Sequence, residues 1–362
     1  MNIKIPLSLK DKLFLLKSPL KYILLLLLAI FITSCSKTKV TRGFYAWQSG
    51  SSVVDTINQK IFQSFNAERL YLKMFEVTYD ELEGAIPIAK TNMILRNQFM
   101  SDAELVPCVF IENKVLGKLS RIQLNELADN IVFLIDKYID ERVFEPTAKN
   151  RDYKEIQLDC DWSKGNQESY FHLIELVKEK SQKTVSCTMR LYPYKYREQM
   201  GTPPVDRIML LCYNLLNPSK NTDKNSILEI EELKKYIDFD TPYPVPVDVA
   251  FPTYSSGYRF DQQRFEGVFH AVPEDLERIT SPTEKYLHYV VTKDTTLGNL
   301  FFKKGENLKI ERVSEAVLIE AAKLLANHID QSEINVVLYH LDHEELKQYN
   351  HEVLDSVFDI FK

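Results

Sequence analysis

Glycine is scarce in this chain, 10 of 362 residues, and no glycine-rich turn follows the first strand-like run. A doubly wound sheet that cradles a dinucleotide needs such a turn, so that architecture is disfavoured. The 5 cysteines include no CxxC pair, and none has a nearby histidine at zinc-ligand spacing. No metal and no cofactor is therefore expected. Basic charge is short too: 45 Lys and Arg stand against 51 Asp and Glu, a net charge of −6. That balance gives no electrostatic reason to bind nucleic acid. The apolar run Ile23 to Ile32 is about half of the ~20 residues that a membrane-spanning helix needs.

What the N-terminus does have reads as a leader. Lys4, Lys10, Lys12, Lys17 and Lys21 precede the apolar run, and small residues follow it at Thr33-Ser34-Cys35. A basic segment, a short apolar segment and small residues make up a secretory signal. Ile32-Thr33-Ser34-Cys35 resembles the lipobox of bacterial lipoproteins. The resemblance implies cleavage before Cys35 and a diacylglyceryl group on its thiol; the bland alternative is an ordinary signal with an incidental cysteine. The expected organisation is a signal peptide over 1–34, a lipidated tether over 35–41 and one domain over 42–362. Cleavage would remove five lysines and one aspartate, leaving 40 basic and 50 acidic side chains and a net charge of −10. The lipid bilayer would then be a partner through acylated Cys35, not through charge. Ser36 stands where some bacteria place an inner-membrane retention aspartate, so the expected location is the outer membrane, facing the periplasm. The other cysteines, Cys108, Cys160, Cys187 and Cys212, each sit in a short apolar run and read as buried free thiols.

From about residue 42 the chain alternates between strand-like and helix-like text. Strands are expected at Gly43–Gln48, Leu70–Val77, Leu105–Glu112, Ile156–Trp162, Val185–Tyr192, Ile208–Asn214, Val245–Tyr254 and Ile334–Leu341. Between them run apolar stripes of helical period, such as Val54, Ile57, Ile61 and Phe65, or Leu127, Ile131, Leu134 and Tyr138. Further helical patterns cover Tyr170–Lys180, Ile227–Tyr236, Val313–Ile329 and Glu344–Phe361. Eight strands separated by helices predict an α/β fold, a (β/α)8 TIM barrel. Residues 260–311 break the alternation and read as a small antiparallel β insertion between strands 7 and 8.

Such barrels carry their sites at the C-terminal strand ends. The fourth strand delivers Asp159 and Asp161 there. Alternation puts both on one face, with Cys160 on the other. Two close carboxyls cannot both ionise freely, so one pKa should rise, which suits acid–base work. The competing reading is that a base such as Arg190 or Lys73 pairs with them and they only brace the barrel. The aromatic side chains Trp47, Trp162, Tyr192, Tyr194, Tyr196, Tyr254 and Tyr258 gather at the same end. They could stack on sugar rings or simply pack the loops. Glu76 and Glu112 are further acids at strand ends, with facing unsettled. His340, Asp342 and His343 follow strand 8, where His343 reads as a first-turn helix residue. Asp248 points inward and is a candidate counterion for Arg190.

Asp159-Cys160-Asp161-Trp162 resembles the fourth-strand signature of family-18 glycoside hydrolases, the chitinase-like barrels. Leu211-Cys212-Tyr213-Asn214 and Ala250-Phe251-Pro252-Thr253-Tyr254 resemble their sixth- and seventh-strand motifs. The position of that family's general acid, a glutamate after the tryptophan, is Ser163 here, and the sixth-strand aspartate is Asn214. The chain also resembles a family of bacterial lipoproteins with glycoside-hydrolase-like barrels and no assigned reaction. It does so through Gly43-Phe44-Tyr45-Ala46-Trp47, Met189-Arg190-Leu191, and Gly201-Thr202-Pro203-Pro204-Val205-Asp206-Arg207. These resemblances imply a barrel that acts on or binds an envelope glycan. The site expected from them has Asp159, Asp161, Tyr213 and Glu76 at its chemical centre. Trp47, Trp162, Arg190, Tyr192, Asn214, Tyr254 and His340 would contact the sugar. The alternative is a non-catalytic barrel that binds a protein partner or serves a structural role. Which protein that would be is not legible.

Overall fold

The computed structural model describes residues 38–47, 56–91, 103–143, 152–220, 223–239, 241–261, 264–270 and 273–362. The expected signal segment 1–34, Cys35 and Gln48 lie outside the described residues. Eight parallel strands form the centre: β1 (Lys39–Ala46), β2 (Arg69–Asp80), β3 (Glu104–Ile111), β4 (Glu155–Asp159), β5 (Thr184–Arg190), β6 (Arg207–Leu211), β7 (Val247–Pro252) and β8 (Glu333–Tyr339). Each pairs with its successor and β8 returns to β1, so the sheet closes and has no edge within the barrel. This is a (β/α)8 barrel. Its strands read as near-continuous apolar runs because both faces are covered, by helices outside and by side chains within. In β7 every residue is buried, and in β8 all five from Ile334 to Leu338 are.

Helices cover the barrel where the periodicity places them, at Arg121–Tyr138, Gln167–Ser181 and Glu315–His328. Ser120 starts the first with a capping box: it accepts from the Gln123 amide, and Gln123 accepts from the Ser120 amide. The four cysteines among the described residues, Cys108, Cys160, Cys187 and Cys212, are buried and free.

Three features depart from the periodicity. The helix expected over 344–361 is two helices, His343–Leu346 and His351–Asp359. Asn350 caps the second through the Glu352 amide, and the Tyr349 hydroxyl ties the break to the Val313 carbonyl at 3.0 Å. Between β2 and β3 the described residues hold a strand, Gly84–Ile88, antiparallel to the end of β2. And β2 has a bulge: Lys73 pairs with Cys108 while Phe75 pairs with Val109, so Met74 is an extra residue.

The insertion is a five-stranded antiparallel sheet ordered Arg264–Phe269, Ser255–Asp261, Asn307–Arg312, His288–Val291 and Thr280–Pro282. It begins at Ser255, directly after β7, a few residues earlier than the composition suggests. It has a core of its own around Phe269, Leu276, Phe302 and Leu308. A buried tie holds it to the loop after β6. Glu311 accepts from the Ser226 amide at 2.8 Å and pairs with Lys309, whose Nζ donates to the Lys224 carbonyl at 2.8 Å.

The N-terminal end of the barrel is plugged by charge. Arg69 pairs with Glu155 at 2.8 Å, and the Arg207 fork holds both oxygens of Asp248 at 2.6 and 2.8 Å. Asp248 therefore serves Arg207, not Arg190. It lies low in the barrel opposite Met209, far down the strand from the C-terminal mouth.

Candidate functional site

At the C-terminal face a cleft of about 910 Å³ opens between the strand ends and the insertion. Its floor is aromatic, and Tyr339 at the end of β8 is the hub. The ring of Tyr213 lies 5.0 Å from it, that of Tyr45 5.6 Å and that of Tyr254 5.6 Å, centroid to centroid. Trp47 stands edge-on to Tyr45 at 5.7 Å. Asn214 has a left-handed backbone, φ 55°, which asparagine tolerates, and its Oδ1 accepts from the Tyr254 hydroxyl at 2.6 Å. From the insertion, Tyr258, Val268 and His270 complete the wall.

Asp159 sits among these rings as the last residue of β4. Thr188 of β5 donates to its Oδ1 at 2.5 Å. Burial raises its pKa to about 6; Asp161 adds to the rise, while Thr188, Arg190 and Lys73 oppose it. One of the two aspartates thus has the raised pKa that their proximity predicts, though desolvation contributes more than its neighbour does.

Asp161 does not share that position. Alternation holds only within a strand, and the chain leaves β4 after Asp159. The Asp161 carboxylate is about half exposed and is held by Arg190, Nε to Oδ1 at 2.8 Å and Nη2 to Oδ2 at 3.1 Å. It does not line the cleft; Arg190 does. Trp162 also departs from the expected placement. It is buried behind the mouth, stacked on Tyr170 at 5.3 Å, with Nε1 donating to the Met200 carbonyl at 3.2 Å. Tyr192 is exposed on the rim against Tyr196, outside the cleft lining, and Tyr194 packs on Tyr243 beneath it. Ser163, which the resemblance sets at the position of the family-18 acid, is exposed, and its amide donates to Asn166 at 2.8 Å.

Glu76 reaches the cleft because of the β2 bulge. The extra residue reverses the facing, so Lys73 before it and Glu76 after it both point inward and form an ion pair, while Phe75 turns outward onto Tyr138. Lys73 also lies 5.9 Å from the Trp47 ring centroid. Glu112 is outside the cleft lining and pairs with Lys114 at 2.7 Å, which holds its pKa below the usual range. His340 lines the cleft with its Nδ1 buried and without a hydrogen-bond partner among the described residues. Burial lowers its pKa, so the ring is neutral at pH 7. Asp342 caps the His343–Leu346 helix through the Glu344 amide at 2.8 Å, which makes His343 a first-turn residue.

Sequence reasoning missed Glu345. It projects from that short helix into the cleft, where the Ser255 hydroxyl donates to its carboxylate at 2.9 Å. Burial raises its pKa. The signal was faint, because its position depends on the insertion starting at Ser255. Tyr45 and Tyr339 were legible as strand residues but not as the ring cluster they form.

No protein-family model matches the chain, and no curated protein matches its sequence. Solved structures do. The chitinase of Chromobacterium violaceum superposes with a TM-score of 0.54 at 10% identity, over 89% of this chain and 98% of that one. The spore cortex-lytic enzyme SleL of Bacillus cereus gives 0.52 at 14% identity, over 90% and 75%. The Group IV chitinase of Ostrinia furnacalis gives 0.51 at 8%, over 89% and 98%. At these identities the likeness establishes the fold alone, a (β/α)8 barrel.

Proposed function

We propose that the barrel binds a saccharide in its C-terminal cleft without hydrolysing it by the family-18 mechanism. The observation that carries this reading is the cleft itself. Aromatic rings of Trp47, Tyr213, Tyr254 and Tyr339 line it together with polar groups at Asp159, Asn214 and His340, as a ring with apolar C–H faces and hydroxyl edges requires. The structures of similar fold include enzymes named chitinase and cortex-lytic enzyme, which makes a glycan the first ligand to test. Two observations support the absence of family-18 hydrolysis: the resemblance puts Ser163, which cannot supply an acid, at the position of the family-18 proton donor, and Asp161 is held by Arg190 on the rim. Losing a general acid alone removes roughly 10²–10⁴ in rate.

A second reading, hydrolysis with a relocated acid, is favoured by one observation. Glu345 and Asp159 are both carboxyls with raised pKa inside the cleft. One experiment separates the two. The purified chain is titrated with a panel of envelope and host glycans, and the same samples are assayed for new reducing ends. Binding without reducing ends supports a receptor; reducing ends that vanish in Glu345→Gln support the enzyme; no binding by any glycan removes both.

We further propose that the chain is a lipoprotein of the outer membrane, facing the periplasm, with Cys35 acylated. The basic leader and Ile32-Thr33-Ser34-Cys35 support this. Incorporation of a labelled fatty acid that Cys35→Ser abolishes would test the anchor, and membrane fractionation would test the location.

A further inference from the structure

The charge inside the cleft is lopsided. Glu76, Asp159, Asp342 and Glu345 line it, and among the described lining residues Arg190 alone has a fixed positive charge. The cations at hand are engaged: Lys73 with Glu76, and Arg190 with Asp161 on the rim. Asp159 and Glu345 form no ion pair with a cation among the described residues. Their hydrogen bonds come from Thr188, Ser255 and Gln348, which leaves acceptor capacity on both carboxyls. On the same wall His340 is a neutral imidazole whose buried Nδ1 has no partner among the described residues. A ligand entering here meets acceptors in excess and, at Asp159 and Glu345, two carboxyls that no ion pair among the described residues neutralises, Arg190 and Lys73 acting on Asp159 only at longer range.

We propose that this cleft, taken as the saccharide site argued above, selects by charge: it takes a sugar bearing a protonated amino group most tightly, a neutral sugar less tightly, and excludes sugars bearing carboxylate or sulfate. An ammonium group offers three donors and no acceptor, matching the surplus acceptors of Asp159 and Glu345. A neutral sugar satisfies the same groups with hydroxyl donors but gains no charge attraction. A uronate brings its own carboxylate beside two that form no ion pair among the described residues, and like charges at close range oppose binding.

The test titrates the full chain in detergent with three β-1,4-linked oligosaccharides of one backbone, built from glucose, glucosamine and glucuronate. They are measured by calorimetry at neutral pH, at low and at high salt. The glucosamine oligomer should bind about tenfold more tightly than the glucose oligomer, the order of one charge-assisted hydrogen bond. High salt should narrow that ratio, and the glucuronate oligomer should give no heat. Glu345→Gln and, separately, Asp159→Asn should each cut the glucosamine-to-glucose ratio several-fold. Equal binding of the amine and neutral probes, or binding of the glucuronate oligomer, overturns the proposal. Silence from all three overturns it too, while the saccharide reading is decided independently by the wider glycan panel.

Discussion

Arg190 closes on both oxygens of Asp161, Nε to Oδ1 at 2.8 Å and Nη2 to Oδ2 at 3.1 Å, and keeps that carboxylate on the rim. Two residues earlier, Asp159 lies buried in the cleft with a hydroxyl, not a cation, as its hydrogen-bond donor. The two aspartates of one short motif thus have different roles, and substitutions should separate them. Asp161→Asn should leave glycan affinity within about twofold and cost about 1 kcal/mol of stability, the scale of a partly exposed ion pair. Asp159→Asn should weaken binding by about tenfold, the scale of a hydrogen bond to a charged group. Calorimetric titration and denaturant unfolding of both variants would check this.

Asp159 also sets a pH dependence. Its folded pKa of about 6 lies above the usual 3.8, so between those values the folded chain holds a proton that the unfolded chain has lost. The carboxyl therefore lends stability that is fully present below about 4 and lost as pH rises through about 6. The difference is on the order of 2–3 kcal/mol. Arg190, Lys73, Asp161 and Thr188 surround the group and are unchanged in Asp159→Asn. That variant should melt higher than the parent at pH 7.5 and no higher at pH 4. A melting difference that does not change with pH would show that Asp159 is not the titrating group.

The buried Lys309–Glu311 pair should be the weak point of the insertion's attachment. Both side chains are essentially inaccessible to water, and Glu311 also accepts from the Ser226 amide. Glu311→Ala would strand a buried ammonium, a loss of about 3–5 kcal/mol. Limited proteolysis should then cut within 255–312, and glycan affinity should fall because Tyr258 and His270 belong to that wall.

How far the sequence carried the fold and the site follows from where local rules stop. All eight barrel strands were legible because burial on both faces leaves unbroken apolar runs, and the insertion because hairpin text replaced helix text. The bulge at Met74 was not, since an extra strand residue has no composition of its own, and with it went the facing of Glu76. Asp161 and Trp162 were placed in the cleft by carrying strand alternation past the end of β4. Of the aromatic set, Trp47, Tyr254 and Tyr258 line the cleft, while Trp162 and Tyr194 are packed behind it. Nothing in one sequence distinguishes an aromatic residue that stacks on a ligand from one that stacks on a helix. Glu345 was hidden because tertiary contact with Ser255, not sequence spacing, turns it inward.

Trp162→Phe should separate packing from binding. It removes the Nε1 bond to Met200 and part of the stack on Tyr170, at about 1–2 kcal/mol by unfolding. Glycan affinity should not change.

The chain has only 2 tryptophans, Trp47 in the cleft and Trp162 behind it, so fluorescence can address the central claim directly. In Trp162→Phe all tryptophan emission comes from Trp47. Titration of that variant with a glycan from the panel should shift or quench the emission saturably, and the same glycan should leave the emission of Trp47→Phe unchanged. A flat Trp47 signal with every glycan, or a response that survives in Trp47→Phe, would contradict a saccharide site at the C-terminal face of this barrel.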